Sequence, residues 1–347
     1  MAFSSILTTN KAHMASPLLI LGLLSSLVIS GVQSIGVCYG RNGNNLPPAS
    51  EVVQLLKSNG ITGVRIYEPN QPTLQALKGS NIEVTIGILN QNLQPLTNPA
   101  TATEWVQNNV RAYSPDVKFR YIAVGNEVHP GNEATNHLLP AIQNIHNAIK
   151  AANLQDQIKV STAIDTTLLA NTFPPSNAEF SGPASSFIKP IITFLANNGS
   201  PLLANIYTYF GRVDTPNDIS LPYALFTSPG VVFQDQNTKL DYRNLFDALL
   251  DSLYTALEKA GAPNLQVVVS ESGWPSAGGT EASVENAGTY YKNFINHVKN
   301  GTPKKKGAIE AYLFALFDEN QKGGDEIEKH FGIFNANKQQ KYQLSFN

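Results

Sequence analysis

Cysteine is almost missing from this sequence: Cys38 stands alone among 347 residues, which excludes an intrachain disulfide and any cysteine-cluster metal site. Charge is scarce too. Asp, Glu, Lys and Arg make up 14% of the chain against roughly 25% in average soluble proteins, and the formal net charge is only −2. Without a basic surplus there is no electrostatic drive toward a phosphate backbone, so nucleic acid is not an expected partner. The six histidines form no HExxH-type pair, and no glycine-rich phosphate loop follows any apolar run, so no metal and no cofactor is expected. Disorder is excluded by the 42% hydrophobic content. No fixed-period repeat or low-complexity segment is evident.

Long apolar runs are confined to the N-terminus. Residues 1–34 contain Lys11, His13 and no acid, and from Pro17 to Val32 they are almost wholly apolar. That run is shorter than a membrane span, and Val32-Gln33-Ser34 ends in the small residue that a signal peptidase prefers. Residues 1–34 are therefore expected to be a secretory signal peptide, leaving 35–347 as an exported chain that touches no membrane after cleavage. A chain of that size buries roughly three quarters of its unfolded surface, so it folds without disulfides. Two sequons, Asn198-Gly199-Ser200 and Asn300-Gly301-Thr302, offer glycan acceptors behind predicted helices.

What the remainder does have is rhythm. Short runs rich in β-branched and aromatic residues recur at 35–40, 63–67, 83–89, 119–126, 159–164, 202–210, 266–272 and 311–317. Several are continuously apolar, as strands buried on both faces of a parallel sheet must be. Helical periodicity falls between them, at 51–58, 103–111, 135–152, 284–298 and above all 242–260, where Phe246, Leu249, Leu250, Leu253 and Leu257 form one stripe. Eight alternations without a break in composition predict an α/β fold, a single (β/α)8 TIM barrel over 35–347. The Gly/Pro-rich stretch 211–240 reads as neither strand nor helix, and is expected to be a small excursion after the sixth strand, flanking a site.

In such a barrel the chemistry sits where strands end. Glu127 closes the run Tyr121–Asn126, and Glu271 closes Val267–Ser270. Both follow apolar strands directly, where a carboxylate is expensive unless compensated. Two carboxylates on one rim are what glycosyl transfer needs: one protonates the leaving oxygen while the other attacks or activates water. A third acid, Glu319, lies beyond the eighth strand, followed by Lys322 and Glu328. Aromatic residues at or just past strand ends, Tyr67, Tyr207, Phe210 and Trp274, are candidate platforms for the CH faces of sugars. Trp274 has a second reading, as packing behind Glu271.

The stretches Ile35-Gly36-Val37-Cys38-Tyr39-Gly40, Arg65-Ile66-Tyr67-Glu68-Pro69-Asn70, Val124-Gly125-Asn126-Glu127-Val128 and Ser270-Glu271-Ser272-Gly273-Trp274-Pro275 resemble the plant β-glucanases of glycoside hydrolase family 17. The likeness spans essentially all of 35–347. It implies retaining endo-hydrolysis of β-1,3-glucan, fungal wall glucan or callose, in plant defence, with the chain working as a monomer. By the same resemblance Glu127 is the general acid/base and Glu271 the nucleophile. Asn126 corresponds to the asparagine that bonds the sugar 2-OH, Tyr67 and Tyr207 to cleft tyrosines, and Glu319, Lys322 and Glu328 to a charged cluster lining the cleft. Two alternatives stay open: hydrolysis of mixed-linkage 1,3-1,4-β-glucan, and a catalytically silent glucan-binding protein.

The sequence also departs from that family. Where members commonly read Tyr-Pro-Tyr followed by further aromatics, this chain reads Tyr207-Thr208-Tyr209-Phe210 and then Gly211-Arg212-Val213-Asp214, which puts the outer sugar subsites in question. Gly288 replaces a charged helix position, at a cost of roughly 1 kcal/mol if that position is exposed. Some relatives carry a vacuolar propeptide or a Cys-rich carbohydrate-binding module. Neither follows Tyr342–Asn347, so the cell-wall space is expected rather than the vacuole.

Overall fold

The computed structural model describes residues 35–346; the expected signal peptide lies outside them. Eight parallel strands close into a barrel: β1 (Gly36–Tyr39), β2 (Gly63–Ile66), β3 (Glu83–Ile88), β4 (Lys118–Asn126), β5 (Lys159–Asp165), β6 (Leu202–Asn205), β7 (Val267–Ser272) and β8 (Ala311–Leu313). Each strand pairs with its sequence neighbours, and β8 returns to β1 through Gly36↔Tyr312 and Val37↔Leu313. Around it lie α1 (Ala49–Ser58), α2 (Gln71–Leu77), α3 (Pro99–Val106), α4 (Thr135–Ala151), α5 (Gly182–Asn197), α6 (Thr208–Asp214), α7 (Leu221–Ala224), α8 (Leu245–Lys259) and α9 (Val284–His297).

Side chains alternate along each strand and so divide the core in two. Val37, Ile122, Val124 and Val269 belong to the layer between strands and helices. Cys38, Tyr121, Ala123, Leu203, Val268 and Tyr312 fill the barrel itself. The predicted stripe on α8 holds, with Phe246, Leu250, Leu253 and Leu257 buried, and Asn244 caps the helix by accepting from the Asp247 N–H at 2.8 Å. At the strand starts, Arg120 bridges Glu83 at 2.7 Å and Glu310 at 2.8 Å, and the Tyr121 hydroxyl donates to Glu310 at 2.8 Å. This network lies at the barrel's N-terminal face, opposite the two strand-end glutamates.

Four expectations need correction. The sixth strand stops at Asn205, and Thr208–Asp214 is helix α6, although Tyr, Thr and Phe favour strands. Tertiary ties decide: Thr208 Oγ1 donates to Ala224 O at 3.0 Å and the Tyr209 hydroxyl to Thr280 O at 2.9 Å. Nor is 211–240 without structure, since it holds the end of α6, all of α7, and the strand Phe233–Gln234, which pairs antiparallel with Asp241–Tyr242. A second ribbon, Leu169–Ala170 with Glu179–Phe180, follows β5. The eighth strand is also shorter than its apolar run, because beyond Leu313 the chain bonds to a later segment through Ala315 N to Phe331 O and Phe334 N to Leu316 O. Gly288 does not sit in open solvent: a Cβ there would stand 3.1 Å from the Tyr342 ring, which is buried at 7% exposure.

α8 buries an acid outside the strand ends. Asp251 Oδ2 accepts from the Tyr242 hydroxyl and the Lys304 N–H, both at 3.0 Å, yet burial pushes its pKa up to about 6. The folded state therefore binds this proton more tightly than the unfolded chain does. The stability it contributes is fully present below about pH 4 and is lost as pH rises through about 6. Asp251→Asn should flatten the fall in Tm between those limits. An unchanged slope would put the titration on another group.

Candidate active site

Strict alternation along β7 would point Ser270 into the barrel and Glu271 out toward the helices. The pairing of β7 with β6 shifts register between Val269 and Glu271, and that irregularity turns Glu271 inward as well. Ser272 then faces outward, its hydroxyl 2.7 Å from Ile206 O and 2.5 Å from the Tyr290 hydroxyl. β4 does the same. Its register against β5 shifts between Ala123 and Asn126, Gly125 takes φ +71° and Glu127 φ +51°, and both Asn126 and Glu127 face the axis. Asn90 holds this bend, donating to Asn126 O and accepting from Asn126 N, each at 2.8 Å.

Glu271 is only 5% exposed and accepts three hydrogen bonds. Arg65 Nη1 (2.9 Å) and the Tyr67 hydroxyl (2.7 Å) donate to Oε1, and the Tyr207 hydroxyl (2.7 Å) donates to Oε2. Burial, reinforced by nearby groups including Glu271, keeps both phenols well above their ordinary pKa, so they remain donors. Arg65 also donates to Asn205 Oδ1 at 3.0 Å, Ser270 O at 3.1 Å and Asn126 Oδ1 at 2.6 Å. Asn205 completes the link, its Nδ2 reaching Glu127 Oε1 at 2.7 Å and Asn126 Oδ1 at 3.1 Å.

Glu127 has no cation in direct contact among these bonds. Burial first, then the charge of Glu271, push its pKa up to about 7, with Asp165 adding to the rise, against the opposing Asn205 hydrogen bond and Arg65. The Asp165 carboxylate is itself engaged by His129 Nε2 at 2.7 Å.

The other expected residues divide between cleft and core. Tyr67, Tyr207 and Phe210 are half-buried, and edge contacts join Tyr207 to Phe210 (5.5 Å between centroids), Phe314 (6.1 Å) and Phe331 (5.9 Å). Glu319 is buried beside Gly40, whose lack of a Cβ leaves room for the carboxylate, and it accepts from Asn42 N at 2.8 Å. Burial raises its pKa, while the Asn42 bond and Lys322 oppose the rise. Lys322 pairs with Glu328 at 2.8 Å and sits 4.3 Å from the Phe314 ring centroid. Trp274 takes its second reading. It is 0% exposed, packs 5.0 Å from Tyr209, and donates Nε1 to Glu281 O at 3.0 Å, leaving no ring face for a sugar.

Arg65, Asn205, Phe314 and Phe331 were not anticipated. A sequence signal existed for the first two, because an arginine inside Val64-Arg65-Ile66 and an asparagine closing Leu202–Ala204 must find partners if buried. A cleft of about 260 Å³ opens here, lined by Arg65, Tyr67, Asn90, Gly125 and Asn126 among others. Neither Glu127 nor Glu271 is among its lining residues, and neither lines a larger groove of about 720 Å³ between α4 and α5.

Residues 35–346 match the model of the glycosyl hydrolases family 17. The chain belongs to that family. It is 60% identical over 344 residues to a glucan endo-1,3-beta-glucosidase of Vitis vinifera, covering 98% of this chain and 99% of the relative. A solved plant β-glucan endohydrolase superposes with TM-score 0.86 at 47% identity, covering 90% of this chain and 100% of that one. The β-1,3-glucanase and allergen of Cryptomeria japonica pollen superposes with TM-score 0.87 at 45% identity, covering 90% and 99%.

In this family 17 barrel, Arg65 is 1% exposed and its partner Glu271 5%, so the two form a buried ion pair. Removing one member of a buried ion pair leaves the other charge uncompensated. Arg65→Met should therefore lower the free energy of unfolding by about 3 to 5 kcal/mol in urea. A loss under about 1 kcal/mol would mean that the Tyr67 and Tyr207 hydroxyls suffice for Glu271.

Proposed function

We propose that this glycoside hydrolase cleaves internal 1,3-β-D-glucosidic bonds of β-1,3-glucans with retention, using Glu127 as general acid/base and Glu271 as nucleophile. The observation that carries the reading is the unequal setting of the two carboxyls. Glu271 accepts from a guanidinium and two phenols, whereas Glu127 meets a neutral amide and has its pKa pushed up to about 7. An acid of that kind still carries its proton when a glycosidic oxygen must leave.

The steps follow from those contacts. Glu127 protonates the leaving oxygen as Glu271 attacks the anomeric carbon. Oε2 of Glu271 has one neutral donor and Oε1 has two donors, one of them cationic, so Oε2 is the freer atom for attack. Forming the glycosyl ester removes the charge of Glu271, which had been raising the pKa of Glu127. Glu127 can then take a proton from water, which hydrolyses the ester. Asn126 Oδ1 accepts from both Arg65 and Asn205, which fixes the amide and leaves its NH2 for the sugar 2-OH. Tyr67, Tyr207 and Phe210 supply apolar faces to the sugar, and Glu319, Lys322 and Glu328 supply polar contacts along the wall.

Export is part of the proposal, supported by the composition of residues 1–34, with the cell-wall space as destination. No helix among the described residues is long and apolar enough to cross a membrane.

Hydrolysis of a soluble β-1,3-glucan should exceed that of a mixed-linkage 1,3-1,4-β-glucan. The reverse order would make this a mixed-linkage enzyme, and activity on neither would leave a binding protein. On the preferred glucan, kcat/KM should fall as pH rises through about 7, where Glu127 loses its proton.

Glu127→Gln should lose roughly 10²- to 10⁴-fold on glucan, but less in glycosylation by an activated aryl glucoside, whose leaving group needs little acid. Glu271→Gln should fail on both. Added azide should give a β-glycosyl azide with Glu127→Ala and an α-glycosyl azide with Glu271→Ala. Exchanged anomers would reverse the two roles.

A further inference from the structure

Tyr207 is the N-cap of α6, so the reach of its hydroxyl to Glu271 Oε2 depends on where that helix sits. α6 has seven residues and no side-chain cap at its N-terminus. A helix so short does not hold itself together in water, and its place is set by its tertiary ties.

Those ties lead back to the strand that carries Glu271. From the far end of α6, Arg212 Nη2 donates to Glu281 Oε1 at 2.6 Å and Nη1 to Pro216 O at 2.8 Å. The pair is largely enclosed, with side-chain exposures of 15% and 21%. Glu281 lies in the loop between β7 and α9 and takes φ +56°, in the left-handed region. Its carbonyl accepts from Trp274 Nε1 at 3.0 Å and Asn286 Nδ2 at 2.9 Å. Tyr209 adds a parallel tie, donating to Thr280 O at 2.9 Å while its ring packs against Trp274. The path is closed: Glu271 to Tyr207, along α6 to Arg212, across to Glu281, back through Trp274, and along three residues of chain to Glu271. The Arg212–Glu281 contact is the ion pair in this path, with both partners charged, and charge-assisted bonds are the stronger kind.

We propose that Arg212 and Glu281 are positioning residues for Glu271, holding α6 where the Tyr207 hydroxyl meets the attacking carboxylate. The inference rests on the assignment of Glu271 as nucleophile. The pair acts on the chemical step through the nucleophile. A defect in nucleophile placement persists whatever the leaving group, which separates it from a defect in acid catalysis. It also lowers kcat with little change in KM, which separates it from loss of a sugar subsite.

The experiment compares the wild-type enzyme with R212M, E281Q, the double variant and Y209F, on a soluble β-1,3-glucan and an activated aryl β-glucoside, with thermal unfolding of each. R212M and E281Q should each lose about 10- to 100-fold in kcat on both substrates, with KM within about threefold. The double variant should lose no more than the worse single, since the two residues make one contact. Y209F, which deletes only the parallel hydroxyl, should lose in the same pattern but less. Folded variants with kcat within about twofold of wild type, or with losses confined to KM, would overturn the proposal. If R212M does not fold, R212K and Y209F decide by the same split. A wild-type enzyme inactive on β-1,3-glucan, or an active Glu271→Gln, would instead refute the underlying assignment of function.

Discussion

The site depends on one buried cation. Arg65 projects from β2 into the barrel at 1% exposure, where an unpaired guanidinium would be prohibitive. Its partners are therefore prescribed: two asparagine oxygens, one backbone carbonyl and one carboxylate. They come from β4, β6 and β7, so a single side chain gathers strand ends that are far apart in sequence. The same placement sets the electrostatics. Glu271 is hydrogen-bonded to the cation, whereas Glu127 is hydrogen-bonded only to the Asn205 amide and feels Arg65 as the smallest of the influences on its pKa. One acid is thereby compensated while the other is left to burial and to its neighbour's charge, and the pKa of Glu127 rises to about 7.

The barrel alone would not deliver this geometry. A regular strand sends consecutive side chains to opposite faces, yet Asn126 and Glu127 both face the axis, and so do Ser270 and Glu271. The register shifts in β4 and β7 resolve the conflict. They fall at the carboxyl ends of the strands, after the apolar residues that close the barrel have already paired. At that rim the irregularity re-aims side chains without disturbing the core, while a separate shift of β4 against β3, between Phe119 and Tyr121, lies at the opposite end of the strand.

This division explains what could be read in advance. Buried parallel strands need continuous apolar runs, and those runs disclosed the eight strands and their order. The positions of Glu127 and Glu271 followed because an acid directly after such a run is costly, and the family resemblance added roles. The bulges left no trace of that kind, since a register shift depends on partner strands and not on local composition. At 206–210 local composition misled, because aromatic and β-branched residues favour extended chain while the contacts of Thr208 and Tyr209 select a helix. Trp274 was a candidate sugar platform because it falls just past a strand end, but that position did not decide between the cleft and packing behind Glu271. Gly288 looked like a flaw in a helix until the C-terminal segment brought the Tyr342 ring against it.

The opposite end of the barrel shows why charge and burial alone do not define a site. Glu310 is 7% exposed, comparable to Glu271 at 5%, and it too accepts from an arginine and a tyrosine. There, Arg120 and Tyr121 both donate to Oε2, and Tyr312 lies 3.4 Å from Oε1. Tyr121 and Tyr312 are buried in the barrel, and Arg120, though partly exposed, is held in turn by Glu83 at 2.7 Å. Around Glu271 the donors Arg65 and Tyr67 line an open cleft, and a second carboxyl of raised pKa is held within the same hydrogen-bond network. What separates the two buried acids is therefore the cleft beside one of them and a second carboxyl of raised pKa in its network, not the strength of their pairing. In a barrel those two features coincide only at the carboxyl ends of the strands, where loops leave a cavity and strand irregularities can turn two acids toward it.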